Sequence, residues 1–462
     1  MISSHNGDIY NLAVLEKLAD TVSSEGGRIY EVGGSVRDRL LNIMQPKDLD
    51  FIICGIPFSD LKKILQKFGN INLVGQTFGV IKFKPFKSEY AYDISLPRKE
   101  RSIGEKHRDF DIDFDPDLPV EEDLGRRDFT INAMAKEFPD GDLVDPYGGK
   151  NDLKKRILRA VSDSSFIDDP LRMIRGVQFM ARFNLSVDRK TFEAMEKNAH
   201  LIKTVSPERI AEELNKLLEE AKKPSAGFLL MRNTGLLEYI LPELGKTVGV
   251  EQPGGYHKWD VFEHTLSTID NSPPKLVVRL AALLHDIGKP QTREIIDKGA
   301  TFYGHDKLGQ SMAENILKRL RYSNETIKQV ATLVGKHMFS QKAGEKGIRR
   351  LLNKVGVDLV FDLIALRKAD TIAQGMGQDT TGIDEFRLKV EQEIAKSRAF
   401  TIRDLALNGN ELKQHFDLDE GPLIGHVLRY LLAKVLDDPQ KNSKEKLLLL
   451  SADFLEKRHL DI

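Results

Sequence analysis

The sequence predicts an α+β protein, a small α/β head carried on a long helical body. Three observations predict it. Over roughly the first 150 residues, short β-type runs alternate with helix-spaced runs. From there to the end the apolar spacing is helical. Breaks at "NSPP" (271–274), "LNGN" (407–410) and "EGP" (420–422) divide the later part into amphipathic helices, with no internal repeat.

The elements follow in order. "RIYEV" (28–32) reads as a strand ending at Gly33-Gly34. "SVRDRLLN" (35–42) reads as a helix with Ser35 as its N-cap and Val36 and Leu40 spaced i,i+4. "DLDFIICG" (48–55) is strand-like, with an apolar centre and Gly55 at its end. "NLVGQTFGVIKFKP" and "EYAYDISLP" supply two more strands, and a polar, charge-dense loop is expected over about 98–124. In "DPLRMIRGVQFMARF" (169–183), apolar residues at 171, 174, 177, 180 and 183 give helix spacing. "SPERIAEELNKLLEEAKKPS" (206–225) opens with Ser206 as N-cap and Pro207 at the first helical position.

Composition bounds the function classes. At 40% hydrophobic and 30% charged, the chain of 462 residues is neither disordered nor collagen-like. Its longest apolar runs, "LAALL" and "LLLL", are far too short to span a membrane. The N-terminus carries no apolar stretch of a secretory signal, and the single cysteine, Cys54, excludes an internal disulfide. A cytoplasmic location is expected. Lys+Arg 69 against Asp+Glu 70 gives no global basic charge, so nucleic-acid binding would depend on local patches such as "KKR" (154–156) and "KGIRR" (346–350).

Asp48 and Asp50 lie two apart on a strand, so both carboxylates share a face. Two such groups can hold Mg²⁺ for in-line nucleotidyl transfer. Upstream, Gly33-Gly34-Ser35 joins strand to helix, where the backbone can approach a triphosphate, and Arg37 sits in the first turn. Either feature alone is commonplace. In the order "GGSVRDRLLN…DLD" they resemble the nucleotidyltransferase superfamily of DNA polymerase beta, and more narrowly the class II tRNA CCA-adding enzymes and their poly(A) polymerase relatives. Four further motifs follow in that family's order: "RRDFTINAMA" (126–135), "DPYGGKNDL" (145–153), "DDPLRMIRGVQFMARF" (168–183) and "SPERI" (206–210).

The resemblance implies a polymerase-beta-like nucleotidyltransferase head, with Arg127, Asp128 and Asn132 lining the nucleotide site. Asp128 and Asn132 are spaced i,i+4, a polar stripe able to hold a ribose. Asp93, on "YAYDIS", falls where the superfamily often places a third catalytic carboxylate. In the fourth motif Asp169, Arg172 and Arg175 repeat at i,i+3. Asp169 offers only acceptors and Arg172 only donors. Cytosine and adenine both present an amino donor beside a ring-nitrogen acceptor and fit that pair. Guanine and uracil mismatch it twice, at about 1–3 kcal/mol for each unpaired buried group. Arg175 is then expected to be free for the triphosphate, with Arg37 and Arg127. The family usually has Glu where this chain has Asp168, so any steering of Arg172 by that acid would change in geometry. The long loop between the first two motifs matches family members that add the terminal A.

Five of 11 histidines fall within 257–337. "FEHTL", "LLHDIGKP" and "RKADT" supply His264, His285-Asp286 and Asp370, which resembles the HD phosphohydrolase superfamily. His305 and His337 can complete a second metal position. Imidazoles and carboxylates together bind a divalent metal that activates water on a phosphate ester. The whole chain therefore reads as a head (1–150), an all-α neck that templates the nucleotide and binds RNA (151–225), a helical body with the HD metal domain (226–375) and a tRNA-binding helical tail (376–462). The implied function is template-independent addition of CCA to tRNA from CTP and ATP by two-metal transfer, with an HD phosphohydrolase activity beside it. The alternatives are an A-only adding enzyme or poly(A) polymerase, and, in another class, an HD nucleotide phosphohydrolase.

Overall fold

The computed structural model describes residues 12–43, 49–74, 79–102, 110–253, 258–296, 299–377, 379–396 and 399–459. The chain divides into two compact units, residues 1–217 with 221–240, and residues 218–220 with 241–462. No described helix is long and apolar enough to cross a membrane.

The first unit opens with helix α1 (Leu12–Ser24), strand β1 (Arg28–Val32), α2 (Gly34–Leu40), β2 (Asp50–Cys54) and α3 (Phe58–Phe68). Strands β3 (Gly69–Val74), β4 (Val80–Pro85), β5 (Tyr92–Ser95), β6 (Arg98–Ser102) and β7 (Phe110–Phe114) come next, then α4 (Val120–Gly125), β8 (Ala135–Glu137) and β9 (Leu143–Val144). Seven of these strands form one mixed sheet in the order β3-β4-β5-β2-β1-β8-β9. Within this sheet, among the described residues, only β2 and β5 pair in parallel. β4 alternates as an amphipathic strand should, with Ile81, Phe83 and Pro85 inward and Lys82 and Lys84 exposed. Ile81 and Phe83 join Leu15, Leu18 and Val22 of α1 and Leu61, Ile64 and Leu65 of α3 in one apolar core. A second core, on Tyr30, Val32 and Ile52, takes in Val120 and Leu124 of α4.

Three expectations are corrected here. The segment 72–97 was expected to hold two strands and holds parts of three, because β3 begins at Gly69 directly after α3. The charge-dense stretch from 98 is not simply a loop. β6 and β7 pair antiparallel, since alternating Phe and Ile residues in "FDIDF" offer strand periodicity within the charge, and α4 follows. Ser35 is not a cap: the helix begins at Gly34, the cap position is Gly33, and no side chain caps it.

The neck continues as α5 (Gly149–Lys155), α6 (Ser165–Asp168), α7 (Leu171–Phe183), α8 (Arg189–Asn198) and α9 (Pro207–Glu220). Helices fill most of the second unit. The expected all-α character has two exceptions: a parallel pair at Ile157–Leu158 and Ser186–Val187, and a small hairpin at Glu294–Ile296 and Gly299–Thr301. Both are too short to leave a periodic signal in the sequence.

Candidate functional site

The carboxylates of the head meet across two strands. In the parallel register of β2 and β5, Asp50 is paired with Asp93, while the next pair is Phe51 with Ile94. Side chains alternate between faces, so the phenyl ring and Ile94 enter the core and both carboxylates emerge together on the other face. Neighbouring strands run about 4.8 Å apart, which sets the spacing of the two backbones. Val32 is registered against Asp50 on the other side, so the glycine turn begins one residue from this acidic edge. Asp48, the other carboxylate of the pair read from the sequence, lies outside the described residues.

Gly33 adopts φ +77, and a Cβ placed there would meet Arg127 Nη1 at 2.6 Å. Only glycine permits both the left-handed backbone and the guanidinium lying over it. Arg127 is also paired to the fully buried Asp123 at 3.4 Å, and Arg126 binds the same carboxylate at 2.7 Å. A short 3₁₀ turn, Thr130–Asn132, realises the expected i,i+4 stripe, with Asn132 Nδ2 donating to Asp128 Oδ1 at 2.9 Å. Arg37 Nη1 in turn donates to Asn132 Oδ1 at 2.7 Å. Arg37 is only 5% exposed, pairs with Asp38 and stacks over Phe183 and Phe179 at 4.4 and 5.2 Å. Its guanidinium thus joins the glycine-turn helix to α7.

Arg175 does not project freely as the sequence suggested. Its Nε and Nη2 hold Asp128 Oδ2 at 2.8 and 2.7 Å, and Glu213 lies 3.8 Å from Nη1. Burial pushes the Asp128 carboxyl upward, but Arg175, Asn132 and the Phe129 amide outweigh it and hold the group below its ordinary value. The two halves of the fourth motif are likewise fixed. Asp169 Oδ1 accepts the Leu171 amide at 3.1 Å and Oδ2 lies 3.6 Å from Arg209. Arg172 is held by the Arg126 carbonyl at 2.6 Å and the Ser165 hydroxyl at 3.1 Å. Asp169 and Arg172 both remain partly exposed.

In the second unit six side chains converge. His264, His285 and Asp370 form one group able to hold a metal, and Asp286, His305 and His337 form another. Asp286 faces both, with Oδ2 3.2 Å from His285 Nε2 and Oδ1 3.5 Å from His305 Nε2. The Nδ1 atoms of His285, His305 and His337 lie 2.7–2.8 Å from the carbonyls of Ala282, Phe302 and Val334. A carbonyl only accepts, so Nδ1 carries a proton in each ring, and whenever a ring is neutral its Nε2 lone pair points into the cluster. His305 and His337 then face each other with Nε2 atoms 3.2 Å apart. Two lone pairs at that distance repel unless a cation lies against them, so this donor set fits divalent metals. Burial and the neighbouring His285 push His337 down to about 4, which keeps it neutral. Burial would raise the Asp370 and Asp286 carboxyls, yet the imidazoles beside them hold both well below the usual carboxylate range. Gly288 of "HDIGK" lets the helix that starts at His305 approach, since a Cβ there would meet His305 O at 2.6 Å.

A cavity of about 390 Å³ opens on this cluster, lined by Asp286, Lys289, His305, His337, Arg367 and Asp370. Arg367 was read from the sequence only as part of a basic cluster, "RKAD" (367–370), able to contact phosphates, and Lys289 was not singled out. Their signal was spacing: each lies i,i+3 from an acid, and Lys289 Nζ bonds Asp286 at 2.6 Å while Arg367 bonds Asp370 at 2.8 Å. Asp123 and Glu213 in the first unit were also missed. A buried acid among several exposed ones on a charged helix leaves no periodic mark.

Residues 29–159 match the Poly A polymerase head domain, 184–247 the probable RNA and SrmB-binding site of polymerase A, and 300–450 the tRNA nucleotidyltransferase domain 2. A Multifunctional CCA protein of Paraburkholderia phymatum is 38% identical over 320 residues, or 67% of this chain and 73% of the relative. An A-adding tRNA nucleotidyltransferase of Deinococcus radiodurans is 35% identical over 350 residues, 71% of this chain and 78% of the relative. The CCA-adding enzyme of Bacillus stearothermophilus, crystallised with CTP, shares the fold with a TM-score of 0.74 at 22% identity, over 98% of this chain and 99% of that one.

Proposed function

The chain belongs to the family of the Multifunctional CCA proteins, the class II tRNA nucleotidyltransferases, and from that premise we propose that it adds CCA to tRNA 3′ ends in the cytoplasm, using CTP and ATP and no nucleic-acid template. The observation that carries this reading is the exposed, in-register pair Asp50 and Asp93 beside the Gly33 turn. These two carboxylates, together with Asp48 of the sequence motif, would hold Mg²⁺. When bound there, the cation lowers the pKa of the tRNA 3′-hydroxyl and neutralises charge on the departing pyrophosphate.

The chain's own residues do the rest. The Gly33-Gly34-Ser35 turn lets the backbone approach the triphosphate, and Arg127, lying over that turn, supplies charge against it. Arg37 and Arg175 border the same site. Each is already bound, to Asn132 and Asp128 respectively, and this fixes the second motif as a rigid wall for the ribose. Asp169 accepts the amino group shared by cytosine and adenine, and Arg172 donates to the ring nitrogen beside it.

The test uses purified protein, Mg²⁺ and three tRNA transcripts ending before CCA, after C and after CC, each offered CTP, ATP, both, or GTP with UTP. Extension of the first by three residues, only when CTP and ATP are both present, is the expected result. The 35% identity to an A-adding enzyme favours one second reading. Extension of the CC-ended transcript alone, by one A, would establish it, and a long A ladder would make the protein a poly(A) polymerase.

The body carries a separate reading, an HD phosphohydrolase. His264, His285 and Asp370, and Asp286, His305 and His337, would hold two divalent metals, which would supply an activated water to a phosphate ester in the cavity. Lys289 and Arg367 fix the carboxylates and place positive charge at the cavity wall. Metal-stimulated phosphoesterase activity that persists in Asp50→Ala would assign it to the body. Its absence with every divalent metal tried would leave the cluster structural.

A further inference from the structure

The sequence sets an acid, Asp168, next to the base-reading pair. In the folded chain that acid turns away. Asp168 Oδ2 accepts the Ser164 hydroxyl at 2.7 Å, and among the described residues no bond joins it to Arg172. Arg172 is gripped from elsewhere. Its Nη2 donates to the Arg126 carbonyl at 2.6 Å, and its Nη1 to Ser165 Oγ at 3.1 Å and to the Ser165 carbonyl at 3.4 Å. Ser165 is wholly buried, at 0% exposed.

We propose that Ser165 is a positioning residue for nucleotide selection, fixing the guanidinium of Arg172 in the plane that reads cytosine and adenine. This rests on the assignment of Asp169 and Arg172 as the base-reading pair. A guanidinium has five N–H donors. Three bonds at most are spent on Ser165 and Arg126, so the remaining donors are free for a base edge. A side chain anchored at two nitrogens cannot swing to suit a carbonyl in place of an amino group, which is what rejection of guanine and uracil requires. The Ser165 hydroxyl has a second use. While its oxygen accepts from Arg172, its proton is directed at the Asp128 carbonyl, 3.4 Å away. One hydroxyl thereby ties the base-reading helix to the segment that carries Arg127, Asp128 and Asn132. Asp168, turned to solvent-side Ser164, is dispensable for this task.

The experiment compares kcat/KM for CTP against UTP, and for ATP against GTP, on full-length protein with transcripts ending before CCA and after CC. Ser165→Ala is expected to lower both selectivity ratios about tenfold, the cost of one bond to a charged group. The kcat for the correct nucleotide should change far less than its KM. Ser165→Cys keeps the volume but offers a weak acceptor, and is expected to behave the same way. Asp168→Ala should keep the ratios within about twofold, as expected of an exposed contact. Wild-type ratios in both Ser165 variants, or equal losses on all four nucleotides in step with a lower melting temperature, would overturn the proposal. A collapse of selectivity in Asp168→Ala alone would overturn it too. A wild-type enzyme that takes UTP and GTP as readily as CTP and ATP refutes the base-reading assignment itself. A selective wild type with unaffected Ser165 variants refutes this inference alone.

Discussion

Arg175 and Asp128 form the joint between the second and fourth motifs, and a double-mutant cycle on them measures how firmly the nucleotide wall is set. Arg175→Met keeps an unbranched apolar side chain and removes the guanidinium, which lies over the Phe179 ring at 5.3 Å and whose two nitrogens lie 2.7 and 2.8 Å from Asp128 Oδ2. The carboxylate, 7% exposed in the intact pair, is left with Asn132 and the Phe129 amide as its hydrogen-bond partners among the described residues. Breaking a fully buried pair costs about 3–5 kcal/mol. Arg175 is one-third exposed, so water moderates the loss, and about 2 kcal/mol is expected. That corresponds to a fall of about 4–8 °C in melting temperature for a unit of this size. With Asp128→Asn and the double variant, the coupling energy should be about 1–2 kcal/mol. The Asp128 carboxyl lies below its ordinary 3.8 in the folded chain, so the folded state binds that proton more weakly than the unfolded chain does. Its stabilisation is fully present above about pH 4 and is lost as the pH falls toward the lower, folded value. Denaturant midpoints for all four proteins, measured near neutral pH and again near about pH 4, give the energies. Additivity within about 0.5 kcal/mol near neutral pH would refute the joint, and a coupling that grew on acidification would refute its electrostatic origin.

Asp93→Asn is expected to reduce nucleotide incorporation at least about a hundredfold while tRNA binding, read by gel shift, stays intact; loss within threefold would remove Asp93 from the acidic edge. Gly33→Ala forces φ +77 on a residue with a Cβ and drives that atom into Arg127, so a loss of about 1–2 kcal/mol in stability and a raised KM for both nucleotides are expected. A variant that melts and binds like wild type would show that Arg127 does not depend on that turn. His285→Ala should abolish metal-stimulated phosphoesterase activity and leave CCA addition in place, measured on the same preparation. Loss of both together with an altered far-UV spectrum would mean that the cluster serves folding instead.

Much of this protein was legible from residues alone. Chain periodicity separated the head from the helical remainder, because a strand repeats every two residues and a helix every 3.6, whatever their surroundings. Motif spacing singled out candidate side chains in both units, and those among the described residues fall into two clusters, one in each unit. Sequence spacing could not decide who binds whom. Arg175 looked available on its helix, yet Asp128, 47 positions away in the chain, occupies it. Asp168 looked placed to steer Arg172, yet its shorter side chain reaches Ser164, while Ser165 and a backbone carbonyl 46 positions from Arg172 take up the guanidinium. Asp93 became a partner of Asp50 only through a parallel register between strands that are not adjacent in sequence. The six metal-binding candidates span more than 100 positions, with His264 and Asp370 separated by 106, and only packed helices aim their lone pairs at a common point. Local patterns fix which elements form and which faces are polar, whereas long-range contacts decide which polar groups satisfy one another. Those contacts depend on packing distances that no local repeat records.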